Sequence, residues 1–217
     1  NSLVIAICYF CQSKLPALHQ SSSENLAKVC LVVPCYNEAE RIDLPAFKNF
    51  LGENPNYHFC FVDDGSSDET FQKLKSFQGD KNENVLVAQN EQNSGKAEAV
   101  RNGMTQSADW KAFDFIGYMD ADLATLFAEM KTLVEVISKR ENSPLVLGSR
   151  VERLGAKIDR AGYRRYFGRV FAELVRILFK IRTYDSQCGA KIFRQEVVKE
   201  TFAEKFTTKW LFDIEVL

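Results

Sequence analysis

Gly117-Tyr-Met-Asp-Ala-Asp-Leu-Ala-Thr125 closes an apolar run, residues 115–119, with two carboxylates one residue apart. Read as a strand leaving a core, the run delivers Asp120 and Asp122 together to the strand's carboxyl end. In an open parallel sheet that edge is where ligands bind. Two carboxylates with free neighbouring positions suit a hard divalent cation that keeps waters and takes phosphate oxygens. A diphosphate-bearing ligand is the natural third party. The plainer alternative is that one Asp caps the helix starting near Leu126 while the other is solvated, so the rest of the chain must decide.

Four more short apolar runs lie at residues 28–34, 58–62, 84–88 and 144–147. Each reads as a strand buried on both faces. Between them, Ala97, Val100 and Met104, or Met130, Leu133, Val134 and Ile137, recur at helical spacing. Strands alternating with helices predict right-handed βαβ units, hence an α/β fold with a single mostly parallel sheet flanked by helices. No Gly-x-Gly-x-x-Gly follows the first of these strands, which argues against a dinucleotide turn there.

The strand ends carry polar groups instead. The first leads into Val33-Pro-Cys-Tyr-Asn-Glu38, the second into Val62-Asp-Asp-Gly-Ser-Ser-Asp68, and the third into Asn90-Glu-Gln-Asn-Ser-Gly-Lys-Ala97. Asp63 or Asp64 can accept hydrogen bonds from a base or ribose, Gly65 permits a sharp exit, and Ser66, Ser67 or Asp68 can cap the next helix. Taken alone, Asp-Asp-Gly-Ser is as readily a turn. Gly95-Lys96 opens a helix like a phosphate-binding start but lacks the upstream glycine of a P-loop, so Lys96 is either a nucleotide contact or a solvated lysine. The fifth run ends Leu147-Gly-Ser-Arg150, and that Arg suits forked recognition of phosphate or an ordinary salt bridge.

With 217 residues, 46% of them hydrophobic, the chain closes one large core. We divide it into an N-terminal segment, 1–27, and one domain, 28–217. Residues 3–11 are apolar and uncharged, too short to cross a bilayer, which takes ~20 residues. They read as the tail of a membrane helix or signal segment, or as a packed helix, with Ser21-Ser-Ser-Glu24 a linker. A formal net charge of −1 provides no global attraction to nucleic acid. Most of the six cysteines sit in or beside apolar runs, as buried free thiols of a reducing compartment do. The Cys8-x-x-Cys11 pair has no second pair or His cluster to complete a zinc site.

In this order, Val33-Pro-Cys-Tyr-Asn-Glu38, Val62-Asp-Asp-Gly-Ser66, Asn93-Ser-Gly-Lys96, Asp120-Ala-Asp122 and Gly148-Ser-Arg150 make the chain resemble the family 2 glycosyltransferases. The fold so implied is GT-A, the Rossmann-like nucleotide-diphospho-sugar transferase architecture. Asp185-Ser-Gln-Cys-Gly-Ala-Lys-Ile-Phe193 and Trp210-Leu-Phe-Asp-Ile-Glu215 are similar to the polyprenyl-phosphate sugar synthases, and to the dolichyl-phosphate glucosyl type more than the mannosyl type. The resemblance spans residues 28–217. It implies that Pro34, Tyr36, Glu38, Asp63, Asp64, Lys96 and Asp120 hold the nucleotide, that Asp120 and Asp122 hold Mg2+ or Mn2+, and that Arg150 faces a phosphate. Asp122, Arg150 and Asp213 are then the catalytic candidates. Ala124 stands where mannosyl-type relatives often have a polar metal ligand, whereas glucosyl-type relatives also show Ala-Thr there.

The implied reaction is inverting, metal-dependent transfer of a hexose, glucose from UDP-glucose first, to a polyprenyl phosphate on the cytoplasmic face of a membrane. Such an acceptor is ionised at neutral pH and needs no strong base, since the second pKa of a phosphate monoester is about 6. A sugar hydroxyl acceptor would need one, and Asp213 and Glu215 are the candidates. Residues 159–182 carry seven cations against Asp159 and Glu173, with Tyr163, Phe167, Val170, Phe171, Leu174, Leu178 and Ile181 at spacings of three and four. Such a helix can lie on an anionic membrane, with Arg164, Arg165, Arg169 and, further on, Lys191 presented to a lipid phosphate. It can equally pack its stripe on the sheet. The remaining alternatives are a family 2 enzyme with a hydroxyl acceptor, a GDP-mannose enzyme, and a silent nucleotide- or membrane-binding domain.

Overall fold

The computed structural model describes residues 4–6, 26–80, 83–149, 188–208 and 212–216. Among them seven strands form one sheet: β1 (Val4–Ala6), β2 (Val29–Cys35), β3 (Tyr57–Asp63), β4 (Val85–Gln89), β5 (Phe115–Tyr118), β6 (Leu145–Ser149) and β7 (Lys191–Arg194). Their spatial order is β1-β6-β7-β5-β2-β3-β4. β2 pairs in parallel with β3 and β5, and β3 with β4. β7 runs antiparallel between β5 and β6, and β1 runs antiparallel along β6. Five strands thus share one direction, each within two residues of the apolar run that predicts it.

Among the described residues six helices cover the two faces: α1 (Leu44–Glu53), α2 (Thr70–Asp80), α3 (Lys96–Trp110), α4 (Phe127–Ser138), α5 (Gln195–Thr201) and α6 (Phe212–Glu215). Alternation along the strands decides which helix meets which residue. Val29, Leu31 and Val33 of β2 join Phe59 and Phe61 under α1, α2 and α4, while Cys30, Val32, Cys60 and Val62 face α3, α5 and α6. Phe47 of α1 is fully buried, its ring 4.9 Å from Phe59 and 5.1 Å from Phe61. Truncating a phenylalanine held this way costs about 3–5 kcal/mol.

Two strands depart from the sequence reading. Residues 4–6 form β1 rather than part of a helix, because the open edge of β6 offers its backbone to the Val-Ile-Ala segment. β7 was not anticipated, because its charged residues interrupt the apolar pattern. Arg194 is only 8% exposed and donates to the carbonyls of Ile137, Arg140 and Ser143. It thereby gives a second donor to the Ile137 and Arg140 carbonyls at the end of α4 and in the turn beyond it, where a cation also complements the helix dipole.

Cys30, Cys35 and Cys60 are buried free thiols, as expected, and Cys188 is buried as well. Burial pushes the Cys60 thiol up to about 12. Arg150, the cationic segment 159–182 with Arg164, Arg165 and Arg169, Trp210 and the Cys8–Cys11 pair lie outside the described residues. Among the described residues no helix is long and apolar enough to cross a membrane.

Candidate active site

The carboxyl ends of β2, β3 and β5 open into a cleft of about 350 Å³ whose lining includes Pro34, Tyr36, Glu38, Arg41, Asp64, Lys96, Asp120 and Asp122. Six of the seven residues expected to hold a nucleotide are therefore brought together. The exception is Asp63, which lies fully buried beneath the rim.

Backbone contacts between loops build the floor. Asn37, at φ 51°, donates its N–H to Ser66 Oγ at 3.0 Å, and its side chain accepts from Ser67 N at 2.9 Å. Glu38 N donates to Thr70 Oγ1 at 2.8 Å, and Asp68 accepts from Thr70 N at the start of α2. Gly65 sits at φ 66°, and a Cβ there would come within 2.5 Å of the Gln92 carbonyl carbon, so this exit admits only glycine. Asp63 Oδ2 accepts from Gln89 Nε2 at 3.3 Å, leaving Oδ1 buried with no partner.

Asp64 was expected to meet a base or ribose, yet its two oxygens already accept from Asn90 Nδ2 (2.7 Å), Ser94 N (3.0 Å) and Gly95 N (2.8 Å). At 3% exposure it ties down the loop that leads into α3. The far side of that loop opens onto a larger cavity of about 580 Å³, lined by Asn90, Asn102, Lys205 and Phe206 among others. The lining of that cavity does not include the carboxylate pair, and its Glu98 is held by Arg101 at 2.6 Å, so the smaller cleft is the candidate site.

Lys96, at the first turn of α3, places its ammonium on Asp120 Oδ1. Asp122 is exposed, and its Oδ1 accepts from Ala124 N at 2.9 Å across a turn in which Leu123 takes φ 53°. Neither Asp caps α4, because Leu126 N donates to Glu129 Oε2 instead. The capping alternative for the carboxylate pair is thereby removed. Glu38 completes an acidic wall. Its Oε1 accepts from Arg41 at 2.8 Å, and its buried Oε2 has no partner. Burial raises the Glu38 carboxyl above its ordinary range, Arg41 opposes the rise and the charge of Asp122 adds to it. Arg41, which sequence reasoning missed, is signalled only by its i, i+3 spacing from Glu38.

Asp213 and Lys191 are corrections. Lys191 is fully buried and donates to Asp213 Oδ1 at 2.5 Å and to the Cys188 carbonyl at 3.1 Å. Tyr118 OH donates to the same Asp213 oxygen at 2.7 Å. The carboxylate assigned to a general base and the ammonium assigned to an acceptor phosphate thus neutralise each other inside the core, since neither charge tolerates burial alone. Glu215, the other base candidate, accepts from Thr207 N and Thr208 N, both at 2.8 Å.

A family model described as glycosyl transferase family 2 matches residues 30–202. Dolichyl-phosphate beta-glucosyltransferases of Saccharomyces cerevisiae and Mus musculus are each 32% identical to the chain, over 94% of it and 65% of their own length. The chain therefore spans about two thirds of the length of these curated relatives. Among solved structures, glucosyl-3-phosphoglycerate synthase from Mycobacterium tuberculosis, in complex with Mn2+, UDP and phosphoglyceric acid, superposes with a TM-score of 0.55 at 19% identity. The match covers 79% of this chain and 57% of that one, a likeness of fold.

Proposed function

Because the chain belongs to glycosyl transferase family 2 and has the GT-A fold, we propose that its cleft binds a nucleotide sugar, UDP-glucose before others, and transfers the hexose with inversion to a polyprenyl phosphate. The observation that carries the reading is the convergence of Asp120, Asp122 and Lys96 on one cleft at the carboxyl edge of the sheet. The names of the curated relatives support glucose and a dolichyl-type acceptor.

The residues present fit a divalent cation. Asp120 and Asp122 offer hard oxygen donors at one edge of the cleft, and the buried Glu38 Oε2, which has no partner, adds a further oxygen to the same lining. Among the described residues no third Asp, Glu, His or Cys joins the pair, so diphosphate oxygens and waters would complete the shell. When bound, Mg2+ or Mn2+ neutralises charge growing on the diphosphate leaving group. Lys96 lies within reach of the same phosphates, and the exposed ring of Tyr36 offers a face for the base. The acceptor phosphate is already anionic, which accords with Asp213 being occupied by Lys191 rather than held ready as a base. Cations of the segment 159–182 would bring the domain to the cytoplasmic face of a membrane and present the lipid phosphate to the sugar.

Incubation with radiolabelled UDP-glucose, Mn2+ and polyprenyl phosphate should give an organic-extractable, mild-acid-labile product. Label appearing only in water-soluble glycan would shift the acceptor to a hydroxyl. In calorimetric titration UDP should bind more tightly than GDP when metal is present. GDP tighter by tenfold, about 1.4 kcal/mol, would make the donor GDP-linked.

A further inference from the structure

We infer that Gly189 and the buried Lys191–Asp213 pair are positioning residues that hold the Asp120 carboxylate in place to receive a cation, an inference that rests on the reading of the cleft given above. The argument begins in the sheet. β5 and β7 pair antiparallel with Tyr118 opposite Lys191, and the same register carried two residues further sets Asp120 opposite Gly189. A directly opposed pair normally has its Cβ atoms about 5 Å apart, with both side chains on one face. Here one partner has no side chain, and Asp120 lies in the space this leaves.

A Cβ added at Gly189 would stand 2.5 Å from Asp120 Oδ2, 3.0 Å from its Cγ and 3.2 Å from Oδ1. The carboxylate therefore occupies the place where a side chain at position 189 would stand, and any Cβ there would push it out. On the other side its Oδ1 meets the Lys96 ammonium. A cation entering the cleft has to displace Lys96, a side chain 41% exposed, and need not disturb the Gly189 floor.

That floor is fixed from below. Lys191 holds the Cys188 carbonyl at 3.1 Å, immediately before Gly189, and is itself fixed by Asp213, which accepts from Tyr118 OH. On the other flank Gly148 N donates to the Ala190 carbonyl at 2.9 Å. The chain through Cys188, Gly189 and Ala190 is anchored on both sides of the glycine. The buried pair thus holds the carbonyl that immediately precedes Gly189, and through it the backbone next to the Asp120 carboxylate.

The test is Mn2+ binding in the presence of saturating UDP, measured by calorimetry, together with UDP binding without metal and thermal melting. Wild type should bind Mn2+ with UDP, and failure to do so would overturn the cation reading of the cleft and this inference with it. Gly189→Ala should lose at least tenfold in Mn2+ affinity while binding metal-free UDP within about twofold of wild type and keeping a cooperative melt. An Mn2+ affinity equal to wild type would overturn the role of Gly189. The double variant Lys191→Met/Asp213→Asn removes both charges but leaves Tyr118 OH an acceptor. It should fold and show the same selective loss, and if it folds with normal Mn2+ affinity, the buried pair is structural only. Should it not fold, Gly189→Ala decides alone.

Discussion

The Lys96 ammonium lies on Asp120 Oδ1 at the mouth of the cleft, so one cation of the protein already occupies the carboxylate proposed to take another. Both side chains are partly exposed, and a pair in that setting is worth only about 0–1 kcal/mol. Lys96→Met should therefore have effects of opposite sign. Mn2+ affinity without nucleotide should rise, by up to about fivefold, while affinity for UDP with Mn2+ falls. Calorimetry of both ligands checks this, and a parallel fall in the two affinities would mean that Lys96 merely shapes the loop.

Asp122 touches only the Ala124 amide among the hydrogen bonds of its turn and stands exposed, so its replacement should leave the fold intact. Asp122→Ala should lower hexosyl transfer by several kcal/mol of barrier, the scale of a lost metal contact to a leaving group. Melting temperature should hardly move. Transfer within about twofold of wild type, or an unaltered dependence on Mn2+, would remove Asp122 from the metal site.

What the sequence made legible follows from what is local. β2 to β6 are visible because strands buried on both faces are continuous apolar runs. Asp120, Asp122 and Glu38 are visible because they follow those runs within a few residues, and Lys96 because Gly95 marks a helix start after the third run. β7 is hidden, since Lys191 and Arg194 read as surface charges until their partners are known, and those partners, Asp213 and the carbonyls ending α4, lie 22 to 57 residues away. Asp64 illustrates the same limit. Its place at the strand end was readable, but its capture by Asn90, Ser94 and Gly95 depends on a loop 26 to 31 residues further on.

Glu38 should give the cleft a pH signature. Its carboxyl is raised in the folded state, first by burial and further by Asp122, against the opposing Arg41. The folded protein then binds more protons than the unfolded chain between the ordinary glutamate range and the raised value, so this group lowers stability as pH rises through that window. Glu38→Gln removes the contribution. Melting curves from roughly pH 4 to 7 should fall less steeply for the variant than for wild type, because Arg41 is 68% exposed and loses little with its partner. Identical pH profiles would show that Glu38 titrates like a solvated carboxylate.

The cationic segment 159–182 offers a test that turns on what lipid binding and simple packing ask of Arg164, Arg165 and Arg169. If these arginines meet an anionic leaflet and a lipid phosphate, replacing all three by Gln should weaken binding to phosphatidylserine-containing vesicles by roughly 1 kcal/mol per charge. Stability should barely change, since solvated cations on a helix surface contribute little to folding. Wild-type binding should also decline as salt rises, because the bilayer's field is screened over ~10 Å at 0.1 M ionic strength. Transfer to polyprenyl phosphate should drop while UDP binding persists, since the proposed nucleotide cleft lies at the ends of β2, β3 and β5. Full transfer by the triple variant, with vesicle binding absent from both proteins, would make the segment a packing element and move the acceptor site elsewhere.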